Sequence, residues 1–230
     1  LFGSQKDLVH AIAETGKPIV VVLFSGRPIS ITELQTQAGA ILECWYLGQE
    51  TGHAIADVLF GDFNPGGKLP ISIPRSVGHI PAYYNYKPSA RRGYLADDIS
   101  ALYPFGFGLS YTKFQFTNLR LEQCTIAKTG STRVLVDVKN IGSRKGTEVV
   151  QMYIRDCFSS VTRPVKELRG FQKITLGVGE SQTVALTITP DELAFTTIDW
   201  TYAVEPGEFD IMVGCSSQDS DLQTVKLLVQ

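Results

Sequence analysis

The sequence lacks several features that would place it in a common class of protein. It contains no apolar run of the ~18 residues that a membrane-spanning helix needs. The longest continuous apolar segment, Ile19–Phe24, has the length of a buried strand. Lys and Arg number 21 while Asp and Glu number 23, which gives a formal net charge of −2. This balance favours neither a nucleic acid nor an anionic membrane as a partner, because both select basic surfaces.

Cysteine is too sparse and too scattered to indicate a zinc site or a disulfide framework. None of the four cysteines forms a CxxC pair, and the three histidines have no metal-ligand spacing. Cys44 lies in an apolar segment and is interpreted as a core thiol. The spacing of Cys124, Cys157 and Cys215 leaves one disulfide open. There is no GxSxG motif, and we expect neither a metal nor a cofactor.

Residues 1 to about 75 alternate helix and strand patterns. Leu8, Val9 and Ile12 have helical spacing after a Ser4-to-Asp7 capping box, and the β-branched run that follows predicts a strand buried on both faces. A second apolar run at 38–46 predicts another strand, and the segment 54–59 predicts a helix. This alternation is typical of an α/β sheet layer. Three or so such elements are too few for a free-standing doubly wound domain, so we expect the tail of a larger α/β domain.

The pattern changes after a loop-like stretch, residues 76–112, that is rich in Pro, Tyr and Gly. Beyond it, about seven short alternating segments are separated by turn signals, and Asp191–Leu193 is expected to form a single helical turn. Even spacing of about 8–12 residues is typical of an antiparallel β-sandwich. We therefore predict three parts: an α/β portion at 1–75, a loop region at 76–112 and a sandwich at 113–230.

Two groups of loop residues are candidates for ligand binding. Glu50 follows the carboxyl end of a predicted parallel strand, where α/β sheets bind ligands, but it could instead stabilise the first turn of the next helix. Arg91, Arg92 and Tyr94 follow a tyrosine-rich segment. Rings stack on pyranose faces and guanidinium groups donate to hydroxyls, so these three residues could line a sugar site. They could equally fix a long loop onto a neighbouring domain.

Many runs of residues, in one order, resemble the C-terminal half of family 3 glycoside hydrolases, the retaining β-glucosidase and β-xylosidase group. The later runs resemble that family's fibronectin type III-like domain, and the resemblance covers nearly the whole chain. The runs are Gly16–Leu23 (GKPIVVVL), Ser25–Pro28 (SGRP), Trp45–Glu50 (WYLGQE), Ala54–Asp62 (AIADVLFGD), Asn64–Pro70 (NPGGKLP), Ile80–Pro81, Tyr84–Pro88 (YNYKP), Tyr103–Thr112 (YPFGFGLSYT), Val138–Gly142 (VKNIG), Gly146–Tyr153 (GTEVVQMY) and Arg163–Phe171 (RPVKELRGF).

The resemblance implies an α/β partial sandwich layer followed by an all-β antiparallel immunoglobulin/fibronectin III-like sandwich. It also implies a parent enzyme with an N-terminal barrel, which alone takes about 250 residues. The nucleophile is implied to be an Asp of that barrel, and the acid/base a Glu upstream of Leu1. No position here matches either motif, so the expected set of catalytic residues in this chain is empty. Asp62, Asp97 and Asp98 are loop carboxylates that nothing in the sequence pairs.

Three readings of the function remain open at this point. The first is the C-terminal portion of a retaining β-glucosidase or β-xylosidase that acts on terminal non-reducing β-D-glycosyl residues, inactive in isolation. The second is a standalone accessory module that binds carbohydrate or protein. The third is one subunit of a split enzyme that needs a separate barrel. The chain begins at Leu1 with neither Met nor a signal peptide, so its compartment is open, although a secreted or periplasmic parent is favoured.

Overall fold

A computed structural model describes residue 1, residues 3–88 and residues 97–230. The described chain divides into two compact units. One contains residues 1–63, 71–83 and 97–104, and the other contains residues 64–70, 84–88 and 105–230. The loop region expected at 76–112 is therefore shared between the two units, while the predicted domain limits at 75 and 112 stay a prediction.

The first unit has the α/β character that the sequence predicts. β1 and β2 are parallel, with Val20 opposite Ala40 and Leu23 opposite Glu43. The helix between them was not predicted, because its short polar sequence TELQTQ has no apolar stripe. The elements of the first unit are α1 (Gln5–Ala13), β1 (Val20–Leu23), α2 (Thr32–Gln37), β2 (Ala40–Glu43), a 3₁₀ helix (Gly48–Glu50), α3 (Thr51–Phe60) and a second 3₁₀ helix (Val77–His79).

The sheet of the first unit is left largely uncovered. Val20 is 51% exposed, and α1 and α3 bury no residue. We expected β1 to be buried on both faces. This expectation is wrong for the described residues, because β1 has only one parallel neighbour there, β2. Parallel sheets are normally covered on both faces. This unit thus has the form of a partial α/β layer.

The second unit is an antiparallel β-sandwich. One sheet has the order β4-β12-β11-β6-β7 and the other the order β3-β5-β8, with β9 and β10 forming a separate hairpin. Only β4 and β12 are parallel among these pairs. The elements are β3 (Phe114–Leu121), β4 (Thr125–Ile126), β5 (Thr132–Asn140), β6 (Gly146–Asp156), β7 (Glu167–Leu176), β8 (Ser181–Ile188), α4 (Pro190–Leu193), β9 (Phe195–Thr196), β10 (Tyr202–Ala203), β11 (Gly207–Gly214) and β12 (Leu222–Val229).

The core of the sandwich follows the period-two pattern of its strands. Alternate residues of β5 are buried, and the side chains of β6 and β11 meet them from the opposite sheet. The helical turn predicted at Asp191–Leu193 is confirmed as α4, whose Thr189 and Glu192 form a capping box. The core residues include Val134, Val136, Val138, Val150, Met152, Ile154, Val184, Ile188, Phe209, Ile211, Val213, Leu227 and Val229.

Two segments outside the strands are held on the sandwich by hydrogen bonds. The Leu69 backbone N–H donates to Phe107 O at 2.8 Å, and the Gly106 N–H donates to Leu69 O at 2.8 Å. Asn64 donates to Lys145 O and accepts from the Tyr111 N–H. The NPGG run therefore binds segment 64–70 to the edge of β6.

Asn140 explains the VKNIG motif. Its side chain is fully buried and donates to Leu176 O and Arg144 O, while its Oδ1 accepts from Thr112 Oγ1 and the Gly142 N–H. These bonds join the end of β5 to the end of β7 and to the turn before β6, and one of them reaches Thr112 in the segment before β3. Both polar atoms of the buried Asn140 amide are hydrogen-bonded, so the amide holds these chain segments in one arrangement.

No helix among the described residues is long and apolar enough to cross a membrane.

Candidate functional site

The carboxyl ends of β1 and β2 bring together the loops that α/β sheets use for binding. Ser25 Oγ donates to Arg27 O at 2.5 Å and accepts from the Arg27 N–H, which makes a tight turn after β1. A Cβ on Gly26 would come within 2.7 Å of the Tyr46 ring, so the loops after the two strands are in direct contact. Glycine at this position allows that approach.

Glu43 ends β2 beside a tryptophan in an uncommon conformation. The Trp45 backbone N–H donates to Glu43 Oε1 at 3.2 Å, and Trp45 has a φ of 48°. Burial raises the pKa of Glu43 above its ordinary value, although this hydrogen bond acts in the opposite direction. Left-handed backbone at a tryptophan is costly and is found where the surroundings enforce it. The backbone at Trp45 is therefore constrained by its surroundings.

A cleft of about 850 Å³ opens beside these loops. Most of its lining residues are apolar, five of them on α1 and β1, and Arg27 is its residue with a charged side chain. An opening of this size could hold a small ligand, but it coincides with the uncovered face of the sheet. The lining residues are Leu1, Gln5, Leu8, Val9, Val21, Val22, Leu23, Phe24, Ser25, Gly26, Arg27, Ile29, Leu34 and Tyr46.

Glu50 lies at the start of α3, as its sequence position suggests. It ends the 3₁₀ helix Gly48–Glu50, and its side chain makes no capping hydrogen bond to the helix. Instead, its carboxylate lies 2.8 Å from Nδ1 of His53, and both side chains are mostly exposed. This arrangement fits a surface pair, and the ligand-binding role of Glu50 stays a prediction.

The other three candidates, Arg91, Arg92 and Tyr94, lie outside the described residues.

The loop carboxylates Asp97 and Asp98 do not face each other. Asp97 accepts from His79 Nε2 at 2.9 Å, whereas Asp98 pairs with Arg75 at 2.8 Å and accepts from the Ser100 N–H. Hydrogen bonds from Ser100 hold the pKa of Asp98 below its ordinary value. A retaining glycosidase needs one carboxyl group that can give up and regain a proton, and this setting favours a carboxylate that stays ionised.

A closer pair of carboxylates, Glu208 and Asp210, occurs on β11, where both share the ammonium group of Lys226. Ligand atoms of Cys157, Glu208 and Asp210 lie within 4.8 Å of one another. Lys226 on β12 forms ion pairs with both carboxylates. Burial and Asp210 raise the pKa of Cys157, which disfavours the thiolate that a metal would require. These residues form a strand-to-strand charge network and provide neither a nucleophile nor an acid/base pair.

The cysteines are free thiols in the structure. Cys44 is buried, as predicted for a core thiol, and burial raises its pKa.

The sequence indicated Glu50, but other residues lie at the carboxyl ends of β1 and β2. Ser25, Arg27, Glu43 and Trp45 also follow parallel strands, so the same rule applied to both strand ends would have found them. Which of these residues contact one another, as the loops do at Gly26 and Tyr46, requires coordinates.

Comparison with known proteins places these features in one family. Residues 1–111 match the glycosyl hydrolase family 3 C-terminal domain, and residues 148–217 match the fibronectin type III-like domain. A β-xylosidase from Formosa agariphila is 49% identical over all of this chain and 32% of that protein. A periplasmic β-glucosidase from Salmonella typhimurium is 47% identical over 93% of this chain and 29% of that protein.

Solved structures give the same result. A β-glucosidase from Erythrobacter marinus is 45% identical and superposes with a TM-score of 0.96, covering 100% of this chain and 30% of its own. The β-glucosidase of Listeria innocua in complex with glucose is 36% identical with a TM-score of 0.91, covering 98% of this chain and 33% of its own. The chain spans about a third of the relatives that it matches. It belongs to glycosyl hydrolase family 3 and carries that family's C-terminal domain, followed by a fibronectin type III-like domain.

Proposed function

We propose that this chain is the C-terminal portion of a retaining β-glucosidase or β-xylosidase, for which it supplies structure and not the catalytic carboxylates. The observation that carries the proposal is the pair of domain matches in a chain that spans only about a third of its relatives. The parent would remove terminal non-reducing β-D-glycosyl residues. A barrel, in the same polypeptide or in a separate chain, would supply the nucleophile.

The state of the described carboxylates supports this division of labour. Asp97 contacts the imidazole of His79 and Asp98 pairs with Arg75, while Glu208 and Asp210 share Lys226. Removing a carboxylate pair removes the route through a covalent glycosyl-enzyme intermediate. The end of β2, at Glu43 and Trp45, would then contact the sugar and shape a pocket. The reacting carboxylates of that pocket would come from another part of the enzyme.

The uncovered sheet of the first unit argues against a standalone accessory module. Leu8 on α1, Val20 on β1 and Phe24 directly after β1 are exposed at 61%, 51% and 54%, and such exposed apolar area invites association. A monodisperse monomer of the isolated chain in light scattering would favour the module. Association, or recovery only in the presence of a barrel, would favour the enzyme portion or the split enzyme.

The name of the periplasmic relative supports a periplasmic or secreted parent. The four free thiols give that location no support of their own.

A domain replacement tests the proposal. The C-terminal third of the Formosa agariphila β-xylosidase would be replaced by this chain, with truncation of the same third as the control. Hydrolysis of an aryl β-xyloside or β-glucoside by the hybrid, absent from the truncated protein, is the expected result. A soluble, monodisperse hybrid with no turnover would contradict the proposal.

A further inference from the structure

The hairpin between β9 and β10 presents an exposed tryptophan on a fixed turn. The Trp200 backbone N–H donates to Thr197 O at 3.1 Å, and the Thr197 N–H donates to Thr201 O at 2.9 Å. The hydroxyls of these two threonines lie 2.9 Å apart. The backbone under Trp200 is therefore held by three hydrogen bonds within five residues.

Neither packing nor backbone preference accounts for tryptophan at this position. Trp200 has a φ of 61°, in the left-handed region that glycine adopts most readily, and its side chain is 89% exposed. In short hairpin loops that end a type I turn with a left-handed residue, glycine is the usual choice. Strained conformations of this kind persist mainly at sites with a function. The side chain gains nothing inside the fold, which points to a ligand outside it.

Further apolar side chains are exposed around the same turn. Ser160 Oγ accepts from the Ile198 N–H at 3.3 Å, which ties the loop after β6 to the hairpin. The Ser160 N–H donates to Glu205, so this loop is fixed from two sides. We call the exposed set the Trp200 platform; it consists of Phe158 (82% exposed), Ile198 (64%), Trp200 (89%) and Tyr202 (63%).

The chemistry around the platform selects among possible ligands. Its charged neighbours have both signs: Asp191, Asp199 and Glu205 are acidic, while Lys128 acts on Glu205 and Arg163 lies over the Phe195 ring of β9. This mixture is not the strongly basic surface that nucleic acid and anionic membranes select. A stable protein interface needs about 800 Å² from each partner with a continuous apolar centre, whereas the platform is four side chains interrupted by carboxylates and hydroxyls. Flat rings flanked by hydrogen-bonding groups suit a sugar, since a pyranose has apolar faces and a hydroxyl rim.

We propose that the Trp200 platform binds the pyranose faces of a β-linked polysaccharide. Trp200 stacks on one ring, and Tyr202 or Phe158 contacts a neighbouring ring. Asp199 and Thr201 accept from or donate to the hydroxyls at the rim. The choice of β-linked glucan and xylan as ligands rests on the proposed function, but the binding requires no catalytic residue.

Native affinity electrophoresis of the 230-residue chain tests this proposal. The gels contain soluble mixed-linkage β-glucan, arabinoxylan or, as a negative control, dextran. The expected result is retardation by at least one β-linked polymer and none by dextran. Trp200→Ala should weaken the apparent binding at least tenfold, whereas Trp200→Tyr should keep most of it. Phe171→Ala removes an aromatic ring that is 66% exposed on β7, and it should bind as the wild type does.

A glycine variant separates loss of binding from loss of folding. Trp200→Gly relieves the left-handed backbone, so it should melt at the same temperature as the wild type or higher while losing retardation. Absence of retardation of the wild type by every β-linked polymer would overturn the proposal, as would equal retardation of wild type and Trp200→Ala. A dimer that Trp200→Ala dissociates would assign the platform to a protein interface and also overturn it. Because hydrolysis is not measured here, failure would leave the proposed function standing.

Discussion

Nζ of Lys68 lies 2.8 Å from a carboxylate oxygen of Glu148, and both side chains are nearly buried. Lys68 also donates to Gly108 O at 3.2 Å, and Glu148 accepts from the Val149 N–H. One buried ion pair thus joins the NPGGKLP motif to β6 of the sandwich. This contact gives the motif a structural purpose that does not depend on catalysis.

Breaking that pair should destabilise the sandwich strongly. Lys68→Met leaves the Glu148 carboxylate buried without its cation, which costs about 3–5 kcal/mol in comparable cases. Lys68→Met/Glu148→Leu removes both charges and should recover much of the loss. Urea unfolding followed by circular dichroism gives the three free energies of unfolding.

The matched control for the buried pair is an exposed one. Arg133 and Glu122 are also in contact, at 2.5 Å, but are 54% and 39% exposed. Arg133→Met should cost far less than Lys68→Met, because water and salt screen an exposed ion pair. Equal losses from Lys68→Met and Arg133→Met would show that burial of the Lys68–Glu148 pair has no special weight.

Tyr153 should contribute through its hydroxyl as well as its ring. The ring is fully buried and packs edge-on against Tyr84, while the hydroxyl donates to Gln151 Oε1 at 2.5 Å. Tyr153→Phe leaves that oxygen without its hydroxyl donor and should cost about 1–3 kcal/mol. Tyr202→Phe, whose exposed hydroxyl makes only a 3.5 Å contact, should change the free energy of unfolding by less than about 0.5 kcal/mol. Similar losses from both variants would refute this assignment.

Two glycines of the same segments should differ sharply in their tolerance of a methyl group. A Cβ on Gly108 would lie 2.1 Å from the backbone oxygen of Gly67, whereas a Cβ on Gly67 meets nothing within 4 Å. Gly108→Ala must displace backbone and should cost about 1–3 kcal/mol or more. Gly67→Ala should fall within about 0.5 kcal/mol of the wild type. Differential scanning calorimetry of the two variants measures their melting temperatures. Equal melting temperatures of Gly108→Ala and Gly67→Ala would contradict this packing.

Asp156 should make the sandwich less stable as the pH rises from about 4 to about 6. Burial raises the pKa of Asp156 to about 6, despite a hydrogen bond from the Phe158 N–H and the charge of Arg163. The folded state therefore holds a proton that the unfolded state has released, and stability falls as that proton is lost. Asp156→Asn cannot ionise, so its melting temperature relative to wild type should be higher at pH 7.5 than at pH 4. A pH-independent difference between the two proteins would remove Asp156 as the cause.

The sequence predicted the parts of the fold that repeat a simple pattern. Alternation in β5 and β6 and the continuous apolar run of β1 revealed strands because one period describes each of them. Helix α2 escaped prediction because its six residues bury only Leu34. Trp200 lies in the turn before β10, where its left-handed backbone follows from the hairpin and not from its own preference.

The site was less predictable than the fold for a physical reason. Glu43, Trp45 and Arg27 come from two strand ends that meet only once β1 and β2 are paired in register. The residues around each strand do not indicate that β1 pairs with β2. The NPGGKLP motif contributed to the family resemblance, but the sequence does not show what its glycines do. The close approaches at Gly66 and Gly108 involve residues that are distant in the sequence.

The most direct test of the central claim is the hydrolysis of aryl β-glucoside and β-xyloside by the purified 230-residue chain. We expect no turnover above buffer, because the proposed nucleophile and acid/base belong to another part of the enzyme. Turnover that survives purification from contaminating hydrolases, and that Glu43→Gln or Glu50→Gln abolishes, would contradict it.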